Sequence, residues 1–259
     1  MNEHELRKAL SDLALGELRY FDTLGSTNDE ALAWATQGAP DLSLVIADEQ
    51  TAGRGRFGRK WFTPAGAALA FSLILRPSED STKHLSRTVG LAALAVVHAL
   101  DQYSAGARIK WPNDILLLGR KIAGILVESV WTGDEVDCQV IGVGLNLRKD
   151  SVPEATALHF PATSLEQIGI ASPAREQILH DILKEIIALR ANIGTGEFIT
   201  EWENHLAYRG EVVHIEHLDG SAQDGLLVGL EPNGSLRLRD DHGNPVTVQF
   251  GDVSLRPPA

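Results

Sequence analysis

The sequence has a single cysteine, Cys138, and a single methionine, its first residue. One thiol can close no intramolecular disulfide and, with no second cysteine, builds no zinc ribbon, which fits a reducing cytoplasm. Positive charge is also scarce: 23 Lys and Arg stand against 35 Asp and Glu, a formal net charge of −12. That balance excludes a protein whose main work is holding nucleic acid, because phosphate neutralisation needs a basic face. Long apolar runs are missing as well. The longest, roughly Thr88 to Leu100, falls short of the ~20 residues that cross a bilayer. Glu3, Glu5, Asp12 and Glu17 interrupt the start of the chain, where an export signal would be basic and then apolar. A cytoplasmic protein with no membrane and no nucleic-acid partner is expected. What is present is an ordinary globular composition, 44% apolar and 22% charged over 259 residues, enough to bury a sizeable core.

Glycine and proline punctuate the chain throughout, and no internal repeat or low-complexity block occurs. Leu6, Leu10 and Leu13 suggest a short amphipathic helix, and a second helix is expected to begin at Thr27, with a capping box closed by Glu30 and a stop at Gly38. Residues 42–47 and 67–75 read as strands on either side of a Gly- and Arg-rich loop. Helical spacing predicts a long, mostly buried helix from Ser81 to Tyr103. Strands are expected over 108–111, 115–118, 122–129 and 136–147, the middle pair joined by a two-residue turn at Gly119-Arg120. A helix over 173–192 follows, with Pro173 in its first turn, and then a short helix holding Phe198 and Trp202. After Arg209 turn signals recur about every ten residues, the texture of a small β-barrel. Its four basic residues face eight acidic ones, again against nucleic acid. The expected fold class is α+β: a mixed-sheet domain over 1–206 and a small barrel over 207–259.

Three stretches carry the chemistry. Residues 48–62, DEQTAGRGRFGRKWF, place Arg54, Arg56, Arg59 and Lys60 among Gly53, Gly55 and Gly58. A solvated basic loop explains the charge alone. The interleaved glycines add a second reading, in which backbone N–H groups approach an anion while arginines fork onto its oxygens. The glycines formally match a dinucleotide fingerprint, but Lys60-Trp61-Phe62-Thr63-Pro64 opens no helix, so that reading is rejected. KWPND, Lys110 to Asp114, is followed by Lys121, which opens an apolar strand where a fixed ammonium can meet a carboxylate or phosphoryl group; Gly124 leaves room beside it. In VIGVGLNL, Gly142 and Gly144 weaken a strand, through close approach of either a ligand or a neighbouring element. Nine histidines are scattered, and the one close pair, His214 and His217, faces opposite sides of a strand, so no metal centre is expected. Trp34, Trp111, Trp131 and Trp202 read as core or interface residues.

Taken together, STNDEA at 26–31, QTAGRGRFGRKW at 50–61, KWPND at 110–114, GRKIAGILVE at 119–128 and GVGLN at 142–146 resemble the biotin protein ligase family. The resemblance implies a biotin/lipoate ligase-type catalytic domain with an SH3-like C-terminal domain. It implies a two-step reaction: biotin and ATP give biotinyl-5′-adenylate, and a lysine of a biotin carboxyl carrier domain then takes the biotin. Magnesium accompanies the ATP. By similarity, Ser26, Thr27, Asn28 and Gln50 hold the biotin head group, and Gly53, Arg54, Gly55, Arg56 and Lys121 surround its carboxylate and the phosphates. Gly124 and Gly142 line the tail. Arg54, Arg56, Arg59, Trp61, Lys121 and Asn146 serve the adenylate, with Asn146 at the adenine end and an adenine-stacking residue expected between Ser151 and Leu165. Arg54, Arg56, Lys121 and Asp114 are the catalytic candidates; Asp114 either orients the incoming lysine or a metal, or simply caps a turn. Only 25 residues precede Ser26, so the ligase-only class without a winged-helix domain is expected, with no operator binding. The sheet edges allow a homodimer. The rival readings are a lipoate or octanoate ligase and a non-catalytic biotin or nucleotide sensor.

Overall fold

The computed structural model describes residues 1–77, 82–103, 106–154, 160–171, 173–217, 220–249 and, for the backbone alone, 253–256. The chain opens with helix α1 (Glu3–Ala9), which buries Leu6. It continues through strand β1 (Leu18–Leu24), helix α2 (Thr27–Thr36), and strands β2 (Leu44–Gln50) and β3 (Ala68–Leu75). Helix α3 (Thr88–Asp101) is followed by strands β4 (Arg108–Lys110), β5 (Asp114–Leu117), β6 (Arg120–Thr132) and β7 (Glu135–Asn146). Helices α4 (Arg175–Arg190) and α5 (Gly196–Asn204) lead to strands β8 (Val212–His217), β9 (Ala222–Leu230), β10 (Leu236–Arg239), β11 (Pro245–Val248) and β12 (Val253–Arg256).

The first seven strands form one mixed sheet in the order β1-β2-β3-β7-β6-β5-β4, and the last five an antiparallel sheet in the order β11-β10-β9-β8-β12. The mixed character comes from β1, which runs parallel to β2 while every other neighbour is antiparallel.

Alternation along the strands divides the large sheet into two faces. Phe71 and Leu73 of β3, with Ile141, Val143 and Leu145 of β7, join α3 and α4 in the main core. Each such fully buried aliphatic side chain contributes about 1.5–3 kcal/mol relative to exposure. On the other face Ile74 and Val140 pack against Ala31 and Trp34 of α2. Beyond the end of α2, the same face carries Gly142, Gly144 and Asn146, and the cavity described below opens there. Helix α3 is buried on nearly all sides, and Gly90 within it has a physical reason: a Cβ would strike the Trp202 indole of α5.

Several boundaries differ from the sequence expectation. Ser26, not Thr27, caps α2, accepting from Asp29 N at 3.4 Å; Glu30 instead pairs with Arg19 at 2.7 Å. The β5–β6 turn is Leu118-Gly119, both with positive φ (51° and 72°), rather than Gly119-Arg120. Pro173 lies before α4, whose cap is Ala174. Helix α3 proper starts at Thr88, after a 3-10 turn over Leu85–Arg87, and the expected start at Ser81 lies outside the described residues. Strand β1 has no counterpart in the sequence expectation; its half-buried pattern lacks the clean alternation that marks a strand. Among the described residues no helix is long and apolar enough to cross a membrane.

Candidate active site

A cavity of about 540 Å³ opens over β6 and β7, walled by the start of α2, Gln50 with residues 54–62, the β4–β5 hairpin, and Ser151, Pro153, Phe160 and Ala162. It gathers Ser26, Thr27, Asn28, Gln50, Arg54, Gly55, Arg56, Arg59, Trp61, Asp114, Lys121, Gly124, Gly142 and Asn146. Of the expected site residues only Gly53 is not on its wall. A Cβ there would meet Trp61 O at 2.5 Å, so Gly53 lets two chain segments pass closely.

The basic loop is a hairpin-like finger. Gln50 N donates to Thr63 O (3.1 Å), Trp61 N to Gly53 O (2.8 Å) and Gly55 N to Arg59 O (2.7 Å), with Arg56–Gly58 at the tip. The N–H of Gly55 closes the finger and is therefore not aimed at an anion. Arg56 and Arg59 lie 4.6 and 6.0 Å from the Phe57 ring, and Arg56 Nη1 donates to Asn113 Oδ1 at 3.2 Å. Arg54 turns elsewhere. Its fork meets both oxygens of Glu128 at 3.0 and 2.7 Å and Asp29 at 2.6 Å. The hydrogen bonds to Glu128, outweighing partial burial, hold its pKa above the ordinary value.

KWPND is a tight β-hairpin in which Lys110 faces Asp114, with a cis Trp111-Pro112 bond in the turn. The turn reading of this motif is met, and its two ends, Lys110 and Asp114, lie on the cavity wall. Asp114 Oδ1 lies 2.5 Å from Lys121 Nζ and Oδ2 lies 3.6 Å from Lys110 Nζ. Burial alone would raise the Asp114 pKa; the fields of Lys121 and then Lys110 outweigh it and hold the carboxyl below its usual range.

A bulge places Lys121. Ile115 faces Ala123 but Leu116 faces Lys121, so β6 carries one extra residue, Ile122, at that step. The insertion shifts the alternation and turns Lys121 onto the face of Gly124, where a Cβ would sit 3.3 Å from Nζ.

The glycines give the cavity its depth. A Cβ on Gly142 would fall on the Asn28 amide, one on Gly144 on the Trp61 indole, and one on Gly124 would press Trp61 at 3.0 Å. The close approach expected at Gly142 and Gly144 is made by side chains of neighbouring segments, Asn28 and Trp61, which themselves line the cavity. The Trp61 ring lies 5.5 Å from Lys121 Nζ, and its buried N–H has no partner. At the far end Thr27 N donates to Gln50 Oε1 (2.8 Å), Gln50 Nε2 to Thr63 Oγ1 (3.0 Å) and Asn28 Nδ2 to Glu128 Oε2 (2.9 Å). Asn146 Nδ2 donates to Thr163 O at 3.0 Å. The expected adenine-stacking segment falls partly on 155–159, outside the described residues.

Sequence reasoning passed over Ser72, Glu128 and Asp29. Ser72 is the lone hydroxyl in the apolar strand ALAFSLIL, and Glu128 ends the apolar run IAGILV; a polar residue breaking a buried strand is the signal that was available.

Among the described residues no group of three metal-ligating side chains occurs. Asp114, the one acidic residue on the cavity wall, is held by two lysines. Magnesium, which keeps several waters and takes substrate phosphates, therefore fits this site on a triphosphate rather than in a carboxylate cage.

The Biotin/lipoate A/B protein ligase family profile matches residues 20–146. The chain is 34% identical to the biotin--[acetyl-CoA-carboxylase] ligase of Mycobacterium tuberculosis over 262 residues, covering 98% of this chain and 95% of that protein. The chain belongs to the biotin protein ligase family. Within this family it is also 35% identical to the bifunctional ligase/repressor BirA of Bacillus subtilis, over 94% of this chain and 76% of that one. Among solved structures, the biotin protein ligase of Aquifex aeolicus in complex with biotin and ATP superposes with a TM-score of 0.79 at 28% identity, covering 93% of this chain and 99% of that one. The biotin protein ligase fold thus accounts for both sheets.

Proposed function

We propose that this chain is an ATP-dependent biotin protein ligase, which makes biotinyl-5′-AMP and pyrophosphate and then passes biotin to a lysine of a biotin carboxyl carrier domain. The observation that carries the reading is the order of chemistries along one face of β6 and β7. Asn28 lies over Gly142, Trp61 over Gly144 and Gly124, and Lys121 with Asp114 beyond them. From Gly142 to Asn146 the strand runs about 13 Å, four residues at about 3.3 Å each, room for a polar bicyclic head and an extended apolar tail ending in a carboxylate.

Thr27, Asn28 and Gln50, with Ser26 beside them, receive the head group. Trp61, Gly124 and Gly142 enclose the tail, and Asn146 stands toward the adenine end. Arg56, Arg59 and Lys121 offset the repulsion between carboxylate and triphosphate and stabilise charge that grows as the carboxylate oxygen attacks the α-phosphorus and pyrophosphate leaves. Magnesium supplies further neutralisation on the phosphates. Arg54, paired to Glu128 and Asp29, acts here by shaping the wall, and reaches the ligand only by leaving those partners. In the second step the carrier amine attacks the acyl carbon of the mixed anhydride and AMP departs. Asp114, beside Lys121, orients that amine.

The same reading divides the chain into a catalytic unit over 1–206 and a smaller one over 207–259. Its support is that Ala207 N donates to Ile109 O, the last tie to the large sheet before β8. It places the enzyme in the cytoplasm, on the solitary buried thiol, and it includes a homodimer through an edge of the large sheet, measurable as solution mass.

The test is ATP-dependent transfer of labelled biotin to a purified carrier domain, with lipoate in parallel. Biotin transfer is expected. Lipoate transfer alone would overturn the assignment in favour of the lipoate ligase reading, and binding without transfer would favour a sensor.

A further inference from the structure

Glu128 stands outside the cavity wall, yet both of its oxygens are engaged by residues on it. Ser72, fully buried on β3, is likewise behind the wall. Resting on the biotin ligase reading, we propose that Glu128 is a positioning residue. Through Asn28, Ser72 and Thr27 its carboxylate fixes the direction of the hydrogen bonds that end at Gln50, and so fixes which atoms of the wall are donors and which acceptors for the head group.

Each side chain along this path has a fixed number of protons to donate. Asn28 Nδ2 faces two groups that only accept, Glu128 Oε2 at 2.9 Å and Leu126 O at 3.4 Å. The amide is thereby locked with Oδ1 toward Ser72, whose hydroxyl donates to it at 2.6 Å. Ser72 has one proton, and this contact takes it. Ser72 Oγ and Thr27 Oγ1 lie 2.8 Å apart, and either hydroxyl can donate across that gap; with the Ser72 proton committed, Thr27 is the donor. Thr27 Oγ1 then has no hydrogen left for Gln50 Oε1 at 3.1 Å. Gln50 Oε1 keeps the Thr27 N–H at 2.8 Å and one free lone pair. Gln50 Nε2 donates one hydrogen to Thr63 Oγ1 at 3.0 Å and has a second to give. The wall thus offers an acceptor beside a donor, the complement of a urea N–H beside its C=O. A negative charge at the origin of such a chain polarises each bond toward itself, and without that charge the two hydroxyls lose their preferred direction.

Two variants test this. Glu128→Gln keeps shape and an acceptor oxygen while removing the charge; Ser72→Ala cuts the chain without touching Arg54. Each is expected to raise KM for biotin about tenfold, the scale of one charge-assisted hydrogen bond. KM for ATP and kcat at saturating biotin should stay within about twofold, and the double variant should be no worse than the more affected single one, because both act through one chain. A KM for biotin within about twofold of wild type in either folded variant, a loss confined to kcat, or additive effects would each overturn the proposal. Should Glu128→Gln not fold, Ser72→Ala decides alone. Wild-type protein that transfers no biotin would defeat the underlying reading instead, while active wild type with indifferent variants defeats only the role of Glu128.

Discussion

Asn28 rests on bare backbone: a Cβ on Gly142 would coincide with its side-chain amide. Gly142 cannot gain a side chain while Asn28 stays where it is. Gly142→Ala must push the amide off the strand, away from Ser72 and Glu128, at about 1–3 kcal/mol of stability. KM for biotin is expected to rise by about tenfold or more, with KM for ATP little changed. A variant binding biotin normally in a calorimeter would show that the amide does not serve the head group.

Lys121 is expected to act mainly in adenylate formation. Lys121→Ala should slow pyrophosphate release by about 10²–10³-fold, and Arg56→Ala should do the same to a lesser degree, since it also loses its tie to Asn113. Supplying preformed biotinyl-5′-AMP should restore much of the carrier labelling in both. Labelling that stays absent with the intermediate supplied would move these cations to the transfer step.

Asp114 gives a pH signature. Its folded-state pKa lies below the ordinary 3.8, so its contribution to stability is complete above that value and is lost as pH falls through the folded one. At neutral pH, Asp114→Asn leaves two ammonium groups without their counter-charge and should be destabilised. The gap from wild type should close only as acid unfolding passes below about pH 4. In half-reaction assays Asp114→Ala should form adenylate yet transfer it poorly; normal carrier labelling would leave the residue a structural role.

His180 works in the opposite direction. Burial lowers its pKa, but hydrogen bonds to Asp12 and Asp181 prevail and raise it above 6.5, tying the segment after α1 to α4 at 3.1 Å. The contribution is complete below pH 6.5 and disappears as pH climbs through the raised value. His180→Gln should therefore lower Tm at about pH 6 and converge on wild type in alkali. A gap that widens with pH would contradict the ion pair.

Trp111 connects the two sheets. Its indole N–H donates to Gly234 O at 3.1 Å in the turn before β10, and Arg87 and Ser86 bind the neighbouring Pro232 and Asn233 carbonyls at 2.7 and 2.8 Å. Trp111→Phe should lower Tm by about 2–4 °C and, because Trp111 and Lys110 line the cavity, raise KM for the substrates. Unchanged kinetics would confine the contact to stability.

Much of the architecture was legible because periodicity and chemistry coincide: α4 repeats its aliphatics at helical spacing, and the glycines at 142 and 144 do mark a close approach. What escaped has a common cause. Strand β1 is half-buried along its length, so its pattern carries little contrast. Ser72 and Glu128 act across 44 and 100 residues of sequence from Asn28, and pairings at that range leave no trace in local spacing. The orientation of Arg54 was unreadable for the same reason: a cation in a glycine-rich loop announces an anion, without saying whether that anion is a ligand or the protein's own carboxylate.

The extra residue at Ile122 is a half-step in the odd-even rhythm of a strand. A chain shortened by one residue there would retain every side-chain type of the site and yet rotate its key ammonium into the apolar layer beneath. At this point of the sequence length matters more than identity, and a one-residue deletion between Lys121 and Gly124 should be more damaging than any single replacement in the same stretch other than that of Lys121.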